Sequence, residues 1–183
     1  MRRSESGNAA VEMAVVLPGL FLLIMVLVET MSLMWVSAAM ESALRSASRF
    51  GLTGWSPDGV DRQAAILRLV AERTIGLVSE RTATIESRVY GSFGQIGLPE
   101  PYDDTLPRNG HFDPGESFID VNGNGHWDAD MGRDGFGGPG EVVVYTITYN
   151  APFLTPLQRW IGGGGFTTLR ASAVVRNEPW GGG

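Results

Sequence analysis

The residues with the clearest chemical signature lie in mid-chain, in Asp120-Val121-Asn122-Gly123-Asn124-Gly125-His126-Trp127-Asp128. Asp120, Asn122, Asn124, Gly125 and Asp128 match positions 1, 3, 5, 6 and 9 of an EF-hand-type loop, and His126 offers its main-chain carbonyl. A set of hard oxygen donors suits Ca²⁺ better than a nitrogen- or sulfur-seeking transition metal. The twelfth position, where a bidentate Glu is expected, is Met131, so Asp130 or Asp134 would have to close the shell. An imperfect repeat stands fifteen residues upstream, where Asn109-Gly110-His111-Phe112-Asp113-Pro114-Gly115-Glu116 echoes Asn124 to Met131. That copy keeps Asp113 and a closing Glu116 but carries Thr105 and Pro107 where opening ligands are expected. Two such half-loops could hold one or two ions, with Phe112 and Trp127 as apolar pegs. Residues 100–141 contain ten acids and two Arg. Such a segment is either a solvated Asn/Gly/Asp linker or is held by cations, and the ligand spacing favours cations.

Nothing comparable points to catalysis. There is no nucleophile elbow, phosphate loop or zinc-hydrolase spacing. Cysteine is absent, and the two His, His111 and His126, sit on turn positions of the repeat. The expectation is that the chain is not an enzyme. The 14 basic residues are all Arg and face 20 acids, for a net charge of −6. Nucleic-acid binding needs a basic stripe to neutralise phosphates, which this balance does not supply.

The N-terminal part has a different character. From Met13 to Val28 no residue is charged, and after Glu29 the apolar run continues to Val36. Spanning a bilayer takes about 20 such residues. Arg2 and Arg3 precede the run and the next basic residue is Arg45. The positive-inside bias therefore places the short N-terminus in the cytoplasm and the remainder across the membrane. A cleaved signal peptide ending near Val36-Ser37-Ala38 is a second reading, but the run exceeds the usual span of about 7–15 residues and contains an acid. A plain signal anchor explains the run and not the residues before it. Glu29 lies about 25 Å from Glu12 at helical rise, near the far interface, where a snorkelling carboxylate is expected. Pro18 and Gly19 are expected to bend or loosen the helix.

Gly7-Asn8-Ala9-Ala10-Val11-Glu12, abutting the apolar run, resembles the processing site of type IV prepilins. The wider stretch from Gly7 to Pro18 is similar to the TadE-like pseudopilins of tight-adherence (Tad) systems. Glu29, the small-residue helix after Trp35 and the segment Ala171 to Pro179 extend the likeness, which covers residues 7–55 and the final strand. The resemblance implies that a prepilin peptidase cuts between Gly7 and Asn8. It also implies that Glu12 meets the terminal amine of a neighbouring subunit and sets register during assembly; an acid lying among lipid headgroups is the other reading of Glu12. Met13 stands where many relatives have Tyr or Phe. The implied partners are the peptidase, other pilins or pseudopilins and the inner-membrane assembly platform. The implied location is the bacterial inner membrane, with the C-terminal domain periplasmic or on a surface pilus. A membrane-anchored, calcium-binding envelope protein or adhesin is the alternative.

Those features need elements to hold them. Glu41, Arg45 and Arg49 form a solvated row at i, i+4 spacing, while Trp35, Ala38, Ala39, Ser42, Ala43, Ser46, Ala47 and Phe50 make a small-residue stripe suited to a close helix partner. Gly51 and Gly54 should end this first helix. Ser56-Pro57 should start a second, with Val60, Ala64, Leu67, Ala71, Ile75 and Val78 as its apolar stripe. Residues 81–90, 141–149 and 166–176 alternate as strands. Gly162 to Gly165 and Gly181 to Gly183 read as connectors or ends. The expected architecture is α+β. It has a leader at 1–7, a transmembrane, pilin-like helix at 8–54 and an exported domain at 55–183. That domain packs the second, amphipathic helix on a small antiparallel sheet and carries the calcium-type insert at 100–140.

Overall fold

The computed structural model describes residues 5–52, 62–79, 81–105, 107–156 and 165–178. Its first element, α1, is one unbroken helix of 48 residues, Glu5–Leu52, which passes through Pro18 and runs one residue beyond Gly51. Ala9–Ser46 is long and apolar enough to cross a membrane, and none of its most apolar window is buried. Along the second half of α1 the pattern changes. Val36, Met40, Ala43 and Leu44 are buried in the core of the following domain. One helix therefore has a membrane-length apolar first half and serves as a core element over its second.

Helix α2, Arg62–Arg73, buries Ile66, Leu67 and Val70 and exposes Arg68, Glu72 and Arg73. The cap at Ser56 and the first stripe position, Val60, lie outside the described residues. The helix is shorter than its periodicity predicts. After Arg73 the chain reverses through Ile75 and Gly76, both at positive φ, while the Thr74 hydroxyl donates to Val70 O and accepts from Val78 N. Ile75 consequently leaves the apolar stripe and is 82% exposed, whereas Val78 is buried. On α1, Ala43 is buried and Ala39, Ser42 and Ser46 are partly buried, but Trp35 and Ala38 face outward. The close partner expected for the small-residue stripe is α2, whose Arg73 donates to Ser42 Oγ. Arg45 and Glu41 form the expected surface pair at 3.3 Å.

The sheet has four antiparallel strands in the order β2-β1-β3-β4: β1 Ala83–Tyr90, β2 Arg133–Asp134, β3 Val142–Pro152 and β4 Phe166–Arg176. Ile85, Ile147 and Ala171 align across the three long strands, as do Val89, Val143 and Val175. This register puts the alternating apolar positions of all three on one face, where α1 and α2 cover them. Strand β2 lies inside the acidic insert and tacks it to the sheet edge. Gly132, just ahead of β2, lies so close to the Tyr90 ring that a Cβ there would stand 2.7 Å from a ring carbon.

Candidate functional site

The acidic insert folds into two interlocked loops. In the second, the Asp120 carboxylate accepts from the main-chain N–H groups of Gly123, Asn124 and Gly125 at 2.7, 3.1 and 2.8 Å. Gly123 and Gly125 adopt the positive φ angles that this tight turn requires. Asn122 and Asn124 both turn their Nδ2 groups to Asp128 Oδ2, at 2.7 and 2.5 Å. Asn124 Oδ1 accepts from His126 N at 2.7 Å. The two amide donors hold the Asp128 carboxyl below its ordinary range. Asp120, Asn122, Asn124, His126 and Asp128 are thus joined by hydrogen bonds within one loop.

The first loop is built the same way. Asp104 accepts from Asn109 N and Gly110 N at 3.3 and 2.9 Å, Asn109 Nδ2 donates to Asp113 Oδ2 at 2.9 Å, and Asn109 Oδ1 accepts from His111 N at 2.8 Å. The opening acid that this copy lacks at fixed spacing is therefore present. Asp104 stands one residue farther from its Asn than Asp120 does, which hides it in an ungapped comparison.

Two glutamates tie the loops together crosswise. Glu116 accepts from Thr105 N and Asp113 N of the first loop, at 2.8 and 2.9 Å. Glu100 accepts from Val121 N, Asn122 N and Asp128 N of the second loop, at 2.7, 3.2 and 3.1 Å. Each Glu precedes the opening acid of one loop by four residues and clamps the other loop. The main-chain donors hold Glu116 below its ordinary pKa. Between the clamps, Asp103 N and Ile119 N donate to Ser117 O and Pro101 O, pairing Tyr102 with Phe118. Phe112 and Trp127 stack at 4.6 Å with Tyr102 edge-on to both, so the two apolar pegs form a shared aromatic centre.

The two acids expected to close the shell, Asp130 and Asp134, are engaged elsewhere. Asp130 accepts from Tyr90 Oη at 2.9 Å and from Gly132 N. Burial, then the bond to Asp130, pushes the Tyr90 hydroxyl up to about 12, so it remains a donor at any ordinary pH. Asp134 lies on β2, 3.6 Å from Arg88, and Met131 is buried. Among the described residues no three Asp, Glu or His side chains form a group that could hold a metal ion.

A third feature joins the apolar half of α1 to the domain. Glu29 is buried rather than snorkelling, and its carboxylate accepts from Leu154 N, Thr155 N and Thr155 Oγ1 at 3.1, 2.9 and 2.8 Å. Depth along the helix, the basis for expecting a snorkelling carboxylate, cannot reveal a main-chain segment arriving from residue 154. The motif at the other end of the anchor is simpler: Gly7 and Asn8 lie in the first turns of α1, and Glu12 is exposed on it among apolar neighbours.

Residues 7–49 match the family described as TadE-like protein. No curated protein and no solved structure matches the chain. The TadE-like segment starts at Gly7 and stops three residues before α1 does, so it contains Glu12, Glu29 and, among the described residues, the α1 core residues Val36, Met40, Ala43 and Leu44. It covers less than half of the chain and leaves the paired loops outside it. Within that segment the family suggests a Tad-pilus-associated protein, held by a helix able to span a membrane. Glu100 and Asp104 are the residues a reading of the insert misses. The repeat Glu-x-aromatic-x-Asp at 100–104 and 116–120 is the signal that finds them.

Proposed function

We propose that the chain is a TadE-like minor pilin, or pseudopilin. A prepilin peptidase cuts it between Gly7 and Asn8, and the mature subunit assembles into, or helps to assemble, a Tad or type IV-like pilus used for surface adherence. The observation that carries this reading is the family match at 7–49, which falls on Gly7, Glu12 and an exposed apolar helix. Arg2 and Arg3 remain in the cytoplasm and the C-terminal domain faces the periplasm of the bacterial inner membrane. Glu12 meets the new amine of a neighbouring subunit, and the other partners are further pilins and the assembly platform. Intact mass of the membrane-extracted protein should show loss of Met1 to Gly7 only when the peptidase is present, and N-terminal sequencing should begin at Asn8. A chain that still begins at Met1 favours the membrane-anchored envelope protein or adhesin instead; one that begins near Ala39 favours a signal peptide.

The paired loops are proposed to bind Ca²⁺. What supports this is the donor set: Asp120 and Asp128 carboxylates, Asn122 and Asn124 amides and the His126 carbonyl on one loop, with Asp113 and Glu116 on the other. A cation there would replace the two Asn N–H donors on Asp128, and the Asn oxygens could reach it only by giving up the bonds they accept from Asn124 N and His126 N. Asp130 or Asp134 would complete the shell by leaving its present partner. Binding to the folded state stabilises by RT ln(1 + [L]/Kd), about 2.7 kcal/mol at a hundredfold excess over Kd. Calorimetry in millimolar Ca²⁺ and in chelator should therefore give separated melting temperatures, and Asp120→Ala should remove most of the gap. Superimposable curves for the unaltered chain would reduce the insert to a self-bonded polar loop.

A further inference from the structure

The stretch of α1 from Ala9 to Val28, apolar but for Glu12 and exposed but for the partly buried Leu22 and Met25, is about 30 Å long at helical rise, the thickness of a bilayer's hydrocarbon core. Glu29 follows as the first buried residue of the helix among those described. It is also where the domain begins. Its carboxylate holds Leu154 N and Thr155 N, just past the end of β3. Phe166, the first residue of β4, pairs with Pro152 at the same end, and Phe153 N reaches Gly165 O. The end of the β3–β4 hairpin is thereby fixed at the level where α1 leaves its membrane-length stretch. Two large apolar side chains are exposed there, Leu154 at 59% and Phe166 at 53%.

We infer that this hairpin end is a lipid-contacting surface. Leu154 and Phe166 enter the interfacial layer of the same bilayer that α1 crosses, on the side of the exported domain. The inference rests on α1 spanning a membrane, and the occupant follows from continuity with it. A bilayer that covers α1 up to Val28 ends beside the hairpin held by Glu29. Partial burial of Leu22 and Met25, on the same helix face as Glu29, carries the buried stripe down toward that layer. The domain then has two attachments to the membrane plane, the helix and the hairpin end, and its tilt is set by both.

The sequence has no Cys, so single cysteines introduced as Leu20→Cys, Leu154→Cys, Phe166→Cys and Ser117→Cys can each carry a nitroxide in the full-length chain. The chain is placed at one copy per phosphatidylcholine–phosphatidylglycerol nanodisc, and accessibility is read with oxygen and with a water-soluble nickel chelate. Labels at 154 and 166 should favour oxygen over nickel severalfold more than the loop label at 117, and less than the mid-helix label at 20. If 154 and 166 behave like 117 while 20 is in lipid, the hairpin surface is refuted and the anchor stands. If the label at 20 is open to nickel, the anchor itself fails. Shielding of 154 and 166 from both reagents would overturn the inference in favour of a protein contact. Both replaced side chains are exposed and the bonds to Glu29 come from main chain and Thr155, so matching melting temperatures for the labelled and unaltered chains will establish that the fold is kept.

Discussion

Glu29→Ala is expected to lower the melting temperature of the membrane-reconstituted chain by about 10 °C, for a loss of about 3 kcal/mol. The side chain is 6% exposed and is the acceptor for two main-chain N–H groups and one hydroxyl. Alanine leaves all three donors at a partly buried site with nothing to bond, and the cost of an unmade bond exceeds the value of a made one. Glu29→Gln keeps one acceptor oxygen and should lose about half as much. Membrane insertion should not suffer, because an acid has been removed from an apolar helix. Amide exchange at Leu154 and Thr155 is the direct readout. Unchanged exchange at both positions, with an unchanged melting temperature, would show that the Glu29 contact contributes nothing to docking the domain on its anchor.

The second large effect is expected from Glu100→Ala. Its side chain is fully buried and accepts from three main-chain N–H groups of the second loop. Losing about 3 kcal/mol of this clamp should raise exchange at Val121, Asn122 and Asp128 about a hundredfold or more. Trp127 should loosen with them, since its Nε1 donates to Glu100 O and its ring packs in the shared aromatic centre. Glu116→Ala, at a more exposed clamp with two main-chain donors and a weaker bond from Thr105 Oγ1, should give a smaller change, and in the other loop, at Thr105 and Asp113. The crossing of the clamps is what the pair of variants tests. Glu100→Ala opening residues 104–113 in place of 120–128 would contradict it.

The parts legible in the sequence are those set by local period. The alternation at 81–90, 141–149 and 166–176 needs only a one-faced core to become three strands, observed at 83–90, 142–152 and 166–176, and α1 and α2 supply it. That Asp120 to Asp128 form one tight turn was legible for a related reason: it depends on spacing within nine residues. Three features were not. Strand β2 has two residues and so no period to read. Ile75 fits a helical stripe perfectly well until the chain reverses at a positive φ, which no apolar pattern announces. Glu29 and Glu100 take their meaning from segments 125 and 21 residues away, respectively. A buried carboxylate that accepts main-chain hydrogen bonds looks, in a sequence, like any surface acid.

Glu100 and Glu116 also bear on what the smallest complete piece of the insert is. The half from Glu100 to Gly115 contains an opening acid, a turn and an aromatic peg, but its own glutamate cannot close its own loop. The same is true of the half from Glu116 onward. Each supplies to the other what it lacks, which is the exchange made by two protomers across an isologous contact. The insert is in that sense a symmetric dimer joined head to tail, with the link between Pro114 and Glu116 keeping the halves at high effective concentration. A proteolytic cut at that link would leave one half attached to β1 and the other to β2, and neither could close its loop without the other.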